Sequence, residues 1–188
     1  MEHRTMDELM ADLGDVTNSP QDEGVLAMIV VRPKTNERVI LSECYLSAVS
    51  GADGDVWTTG SWKKLPDGSS DPVVQISVMN SRSINLLTGD KSSWPLAGDN
   101  LYVDFDLGED NIKQGDGISI GEVMLEVTPQ PHTACEKFAE RFGVDAKELV
   151  NSDTGKKYRL RGIYTKVIRD GYVRVGDTIK KTLTTGST

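Results

Sequence analysis

A cysteine near the start of a short amphipathic segment is the residue best suited to chemistry. Cys135 lies in the stretch PHTACEKFAERFG, residues 131–143. Thr133 and Glu136 match a capping box, which predicts a helix that starts at Thr133 and places Cys135 at its second position. A thiol in the first helical turn lies among unpaired backbone N–H groups. This setting favours the thiolate, the form of cysteine that attacks electrophiles and binds metals.

The same stretch leaves a second interpretation of Cys135 open. Ala134, Phe138 and Phe142 recur every four residues and share one apolar face, and Gly143 suits the end of the helix. The helix dipole is a weak activator, contributing about 0.3–1 kcal/mol. Free cysteine is also among the most buried residue types. Cys135 is therefore either a reactive thiolate or a small buried residue.

Other signatures of catalysis and metal binding are absent from the sequence. There is no G-x-G-x-x-G, G-x-x-x-x-G-K-[ST], C-x-x-C or H-E-x-x-H motif. The histidines are His3 and His132, so a zinc site or a Ser-His-Asp triad would require His132. We expect His132 to be a surface residue. Cys44, in an alternating strand, is expected to be a packed structural thiol.

Composition indicates an acidic globular chain. The 188 residues suit one domain with a sizeable core. The formal net charge of −8 argues against a nucleic-acid or anionic-membrane surface. No apolar run approaches the roughly 18 residues of a membrane span, and the N-terminus lacks an apolar signal segment. We therefore predict a cytoplasmic protein with no nucleic-acid and no membrane partner, of open oligomeric state.

Most of the predicted elements are strands. Apolar or alternating runs predict strands at 25–32, 38–49, 73–79, 101–107, 164–169 and 172–175, the last two joined by a type I′ hairpin at Asp170-Gly171. The run at 118–127 predicts a pair of strands around Gly121. Helices are predicted at 5–14, where Thr5 and Glu8 match a capping box, and at 80–87 and 145–151. The Gly- and Asp-rich segment 50–71 contains Trp57 and Trp62, which favours a functional loop. This pattern predicts a mostly β fold with short helices (α+β), an antiparallel barrel or sandwich.

The second half of the chain resembles the MOSC domain, named for the C-terminal domain of molybdenum cofactor sulfurases. The matching pieces, in order, are GADGD at 51–55, VQISVMN at 74–80, Gly98 to Leu101, Gly115-Asp116 to Gly121-Glu122, LEVT at 125–128, PHTAC at 131–135 and RGIYTKVIRDGYVRVGD at 161–177. The resemblance covers residues 24–180. It implies a MOSC-type β-barrel at 24–181, preceded by a helix and connector at 1–23 and followed by a flexible tail at 182–188.

The resemblance also implies a cleft built around Cys135. In the family the matching cysteine is associated with molybdenum cofactor binding or is proposed to carry sulfur as a persulfide, and pyridoxal phosphate binding is implied at family level. Cys135 is thus expected to be catalytic, or a molybdenum ligand. The residues expected to line the cofactor pocket are Asp55, Asn80, Arg82, Asn100, His132, Lys137 and Arg161.

The chain departs from the family pattern in two places. Many members have an arginine and a proline where this chain has His132 and Ala134, and an Arg-His pair where it has Val56-Trp57. Two basic groups are thereby lost, so other basic residues of the pocket must bind any phosphate. A histidine at position 132 would make anion binding depend on pH, because imidazole titrates near neutrality.

Three functions remain open from the sequence. The first is a stand-alone MOSC-type protein that binds molybdenum cofactor or carries sulfur on Cys135 for delivery to a metal–sulfur cofactor. The second is a non-catalytic barrel that binds a small anion or a partner. The third is a molybdenum-dependent reductase of N-oxygenated compounds. An enzymatic role would make the chain a sulfur transferase or an oxidoreductase, with a sulfur donor or electron donor as its partner protein.

Overall fold

The computed structural model describes residues 3–182, and its centre is a closed barrel of seven strands. Around the ring the strands are β1 (Glu23–Val31), β6 (Leu101–Asp104), β5 (Ile76–Asn80), β9 (Ile163–Arg169), β8 (Val123–Val127), β7 (Gly117–Ile120) and β11 (Thr178–Thr182), and β11 pairs back onto β1. A short strand, β2 (Val39–Leu41), pairs with β1 outside the ring. The prediction of a mostly β, α+β barrel is confirmed. Of the predicted tail at 182–188, Thr182 ends β11 and residues 183–188 lie outside the described residues.

A second, smaller sheet contains β3 (Glu43–Ser47), β4 (Gly51–Ala52) and β10 (Gly171–Arg174), in the order β10-β3-β4. The predicted hairpin at Asp170-Gly171 is wrong, because β10 pairs with β3 and not with β9. A type I′ turn requires positive φ at both central residues, and neither residue has it. Gly171 instead packs so closely on Glu122 that an added Cβ would lie 2.7 Å from the Glu122 Cβ.

Within residues 3–182, six helices cover the outside of the barrel. They are α1 (Met6–Thr17), α2 (Trp57–Gly60), α3 (Ser81–Thr88), α4 (Glu136–Phe142), α5 (Val144–Asn151) and α6 (Asp153–Lys157). Thr5 caps α1 through the Thr5–Glu8 capping box. One apolar cluster fills the barrel, and a second lies between the helices and the outer faces of β1, β5 and β6. Because β1 is buried on both faces, its sequence VLAMIVV is continuously apolar instead of alternating.

One connection positions the site. Every neighbouring pair in the barrel is antiparallel except β5 and β6, which are parallel and therefore need a crossover. The crossover consists of α3 and a 3₁₀ segment, Lys91–Ala97, which ends at Gly98 with a φ of 85°. It brings the carbonyl groups of residues 95–98 close to the end of β1, since Arg32, which follows β1, donates a hydrogen bond to the Gly98 carbonyl.

Within residues 3–182, none of the helices has the length and hydrophobicity that a membrane-spanning helix requires.

Candidate functional site

A cleft of about 270 Å³ lies beside the end of β1, and Cys135 is part of its wall. Six of the lining side chains are cationic: Arg32, Lys34, Arg38, Lys137, Arg141 and Arg161. Among the described residues, 3–182, no carboxylate lines the cleft. The whole chain has a net charge of −8, so this concentration of positive charge is local. A concave surface with one sign of charge favours the binding of small anions.

Cys135 is an exposed, free thiol at the N-cap of α4. The prediction that the helix starts at Thr133 is wrong: Cys135 has extended φ and ψ angles (−102° and −177°), and no side chain caps the helix. The cause is the Asn151 side chain, which bonds the N–H and the C=O of Ala134 at 2.9 and 3.0 Å and keeps this segment extended. The interpretation of Cys135 as a small buried residue is also wrong. The predicted apolar face is confirmed, since Ala134 and its two phenylalanine partners are buried.

Asp55 and Asn100 lie behind Arg32 and orient it. The Nε and Nη2 groups of Arg32 donate to the two carboxylate oxygens of Asp55, at 2.9 and 3.0 Å. The Asn100 amide donates to the same carboxylate at 3.1 Å. The Asp55 side chain is only 1% exposed, whereas that of Arg32 is 27% exposed. These two predicted pocket residues are therefore brought together at the site, where they contact Arg32 and not the cleft.

Asp99 holds Arg161 through a single hydrogen bond. Arg161 Nη1 donates to Asp99 Oδ2 at 2.6 Å, and its guanidinium lies 5.1 Å from the ring centroid of Phe138. The His132 side chain is buried beside this pair, with Nδ1 3.6 Å from Asp99 Oδ1 and its ring centroid 4.2 Å from that of Tyr164, the two rings tilted by 34°.

His132 is therefore not a surface residue, and that expectation is wrong. Burial, together with the neighbouring positive charges of Arg161 and Arg32, holds the pKa of His132 well below 6.5. The ring is neutral at pH 7, so the expectation that it makes anion binding pH-dependent near neutrality is wrong too. His132 lines a separate cavity of about 350 Å³ and not the cleft.

Arg38 and Arg141 complete the arginine set without a carboxylate partner. Arg38 Nε donates to the Pro95 carbonyl at 3.2 Å, and Arg141 Nη1 donates to the Leu96 carbonyl at 2.8 Å. Within residues 3–182, neither guanidinium lies within 4 Å of a carboxylate oxygen. Burial and the positive charge of Arg141 lower the pKa of Arg38. Lys137, a predicted pocket residue, lines the cleft with them.

Aromatic side chains form another part of the wall. Trp57 is buried, whereas Trp62 is 65% exposed and lies 6.5 Å from the Tyr164 ring, centroid to centroid. The loop that carries Trp62 is tied to the segment before Cys135, because Lys63 Nζ donates to Gln130 Oε1 at 2.6 Å. The Trp-containing segment predicted to be functional thus contributes directly to the cleft.

Two predicted pocket residues lie elsewhere. Asn80 is buried, caps α3 through its Oδ1 and donates to the hydroxyl of Ser19 at 2.8 Å. Arg82 pairs with Asp104 at 2.7 Å. Neither lines the cleft.

Sequence reasoning missed several cations of the cleft: Arg32, Lys34, Arg38 and Arg141. The sequence did contain one usable signal, because the basic run from Arg32 to Arg38 follows directly on the buried strand β1.

The fold and the motifs define the class of this protein. The family model for the MOSC domain matches residues 51–180, and the chain belongs to this family. No curated protein matches the sequence significantly. Among solved structures, the YuaD protein from Bacillus subtilis is 18% identical with a TM-score of 0.61, covering 85% of this chain and 95% of that one. YiiM from Escherichia coli is 20% identical with a TM-score of 0.54, and the match covers 87% of this chain and 72% of that one. YiiM from Geobacillus stearothermophilus is 16% identical with a TM-score of 0.52, and the match covers 88% of this chain and 75% of that one. At these identities the likeness concerns the fold.

Proposed function

We propose that this protein binds a phosphate-bearing metal cofactor of the molybdenum cofactor type in the cleft, with Cys135 as metal ligand or as persulfide carrier. The observation that carries the proposal is an exposed thiol in the same cleft as six cationic side chains, with no carboxylate in the lining that residues 3–182 provide. The cations suit a phosphate group, and a thiolate suits a metal that accepts sulfur ligands or a sulfur donor. The association of the MOSC family with molybdenum cofactor supports the same conclusion.

The donor set fits a metal that arrives with its own organic ligand. Within the described residues there is no group of three or more His, Cys, Asp or Glu side chains that could hold a metal ion. Cys135 is the one soft donor that the described part of the chain places in the cleft, so it would add a single thiolate to a metal already chelated by the cofactor. When bound, such a cofactor supplies redox or sulfur chemistry at the metal. The chain itself supplies the thiolate, the cations and the aromatic wall.

The persulfide alternative uses the same thiol with a partner protein. The Cys135 thiolate attacks the outer sulfur of a persulfide on the donor protein, the donor's S–S bond breaks, and the donor cysteine leaves as a thiolate. Cys135 then carries one extra sulfur, and no oxidant is consumed. The exposed thiol is accessible to a donor, whereas the buried Cys44 is not.

The test compares the wild type with Cys135→Ser and with Cys44→Ser as the matched control. Each protein is produced in a host that makes molybdenum cofactor, and molybdenum and phosphorus are measured per chain by mass spectrometry. A second arm exposes metal-free protein to a protein persulfide donor and measures the mass of one added sulfur atom. We expect Cys135→Ser to lose the metal or the added sulfur and Cys44→Ser to keep both. Retention of both by Cys135→Ser would refute the proposal.

A non-catalytic anion-binding barrel is the second candidate, favoured by one observation. The arginine side chains of the cleft are held by carboxylates and carbonyl groups without any contribution from Cys135. If Cys135→Ser binds phosphorus-containing ligand as the wild type does, while sulfur transfer and metal are absent from both, this second function is the correct one.

A further inference from the structure

Four arginines converge on four consecutive carbonyl groups at the end of the 3₁₀ segment. Arg38 donates to Pro95 O, Arg141 to Leu96 O, Arg161 to Ala97 O and Arg32 to Gly98 O, at 3.2, 2.8, 3.2 and 3.1 Å. The last carbonyls of a helix lie at its negative end and lack the usual helical partners, although the Pro95 carbonyl also accepts from the Gly98 N–H at 3.1 Å. The arginines come from distant parts of the chain, so the carbonyl row of residues 95–98 acts as a common anchor for the cleft cations.

The four arginines differ in how their charge is neutralised. Asp55 neutralises Arg32 through two hydrogen bonds, and Asp99 neutralises Arg161. Within residues 3–182, Arg38 and Arg141 donate hydrogen bonds to carbonyl oxygens alone, and these oxygens carry partial and not full negative charges. The positive charge that remains available to a ligand is therefore concentrated on these two side chains, together with the exposed lysines of the cleft.

Arg38 and Arg141 also keep donors free. Arg38 uses Nε and Nη1, the latter to the Glu37 carbonyl, and within residues 3–182 its Nη2 makes no hydrogen bond. Arg141 uses only Nη1 in that range, so its Nε and Nη2 are available. Two half-buried arginines with free donors suit an oxyanion that accepts several hydrogen bonds at once.

We propose that Arg38 and Arg141 form the subsite for a phosphate-class oxyanion in this cleft, preorganised by the carbonyls of Pro95 and Leu96. The proposal rests on the proposed function only in requiring that the cleft binds an anion; it does not involve Cys135. Arg32 and Arg161 shape the cleft but contribute less to anion affinity, because each is already paired with a buried carboxylate.

The first test uses the wild-type protein. Phenylglyoxal modifies accessible arginines, and peptide mass spectrometry with and without inorganic pyrophosphate shows which of them the anion protects. We expect protection of Arg38 and Arg141, with no change at Arg169, which lies on β9 and donates to the Glu122 carbonyl. Protection confined to other arginines, or no protection at all, would overturn the proposal.

The second test measures pyrophosphate affinity by titration calorimetry at fixed ionic strength. Arg38→Gln and Arg141→Gln should each weaken binding about tenfold or more, since a hydrogen bond to a charged group contributes about 1.5–3 kcal/mol. Arg169→Gln is the matched control and should bind as the wild type does. Equal affinity in the Arg38→Gln, Arg141→Gln double variant and the wild type would refute the assignment. Cys135→Ser should leave the affinity unchanged, which separates this subsite from the role of the thiol.

Discussion

Replacing Asp55 by asparagine should destabilise the protein strongly, because Asp55 is the buried counter-ion of Arg32. Its carboxylate accepts five hydrogen bonds: three from Arg32, including the backbone N–H, and one each from the Trp57 N–H and the Asn100 amide. Asparagine keeps one acceptor oxygen and turns an NH₂ group towards donors. Loss of one partner of a buried ion pair costs about 3–5 kcal/mol, so we expect the free energy of unfolding to fall by that amount.

Urea unfolding monitored by tryptophan fluorescence measures this change. The matched control is Asp110→Asn, since Asp110 pairs with Lys157 at 3.6 Å but has an 83% exposed side chain. An exposed pair of this kind contributes less than about 1 kcal/mol. If Asp55→Asn costs no more than the control, Arg32 is not held by a buried charge and the account of the cleft given above is wrong.

Three further predictions concern other parts of the chain. In alkylation followed by peptide mass spectrometry, the exposed Cys135 should react in the folded protein, whereas the buried Cys44 should react only after unfolding. Burial raises the pKa of the Cys44 thiol to about 11. Equal alkylation rates of the two cysteines would contradict this prediction. The pKa of His132 is held well below 6.5 in the folded protein, so the unfolded chain binds an extra proton as the pH falls below about 6.5. The free energy of unfolding should therefore decrease in that pH range. In urea titrations, His132→Gln should remove that part of the pH dependence. Gly162→Ala should lower the melting temperature far more than Gly176→Ala. Both glycines have positive φ, but only at Gly162 would the new Cβ meet a backbone oxygen, Val78 O, at 2.3 Å. Similar melting temperatures of the two variants would refute the reasoning.

Local sequence patterns predicted the elements that depend on local interactions. The Thr5–Glu8 capping box is formed as predicted, and the buried run at 25–32 corresponds to β1. The two strands around Gly121 form the predicted pair. In each case neighbouring residues supply the necessary caps, turns or apolar faces.

The errors have a non-local cause. The start of α4 was predicted wrongly because Asn151, 17 positions away from Ala134, keeps the preceding backbone extended. The hairpin at Asp170-Gly171 fails because that glycine is required for close packing on Glu122 and not for a turn. No local pattern reports such contacts.

The candidate site shows the same division. Cys135, Lys137 and Arg161 lie in the cleft because the motifs that contain them run through its wall. The other arginines of the site, Arg32, Arg38 and Arg141, gather there through the carbonyl groups at 95–98, which carry no sequence signal because every residue has a carbonyl. A backbone anchor of this kind is visible only in three dimensions.

The crossover between β5 and β6 has a consequence for folding kinetics. The cleft arginines lie at positions 32, 38, 141 and 161, whereas their common anchor lies at 95–98. These contacts join distant parts of the chain, so we expect the cleft to form after the barrel has closed, and its mutually repelling cations should not assist closure. A bound anion should therefore slow unfolding and leave the refolding rate almost unchanged, as expected for a contact absent from the folding transition state. The anion would then stabilise the folded barrel kinetically, and stopped-flow unfolding with and without pyrophosphate measures that effect.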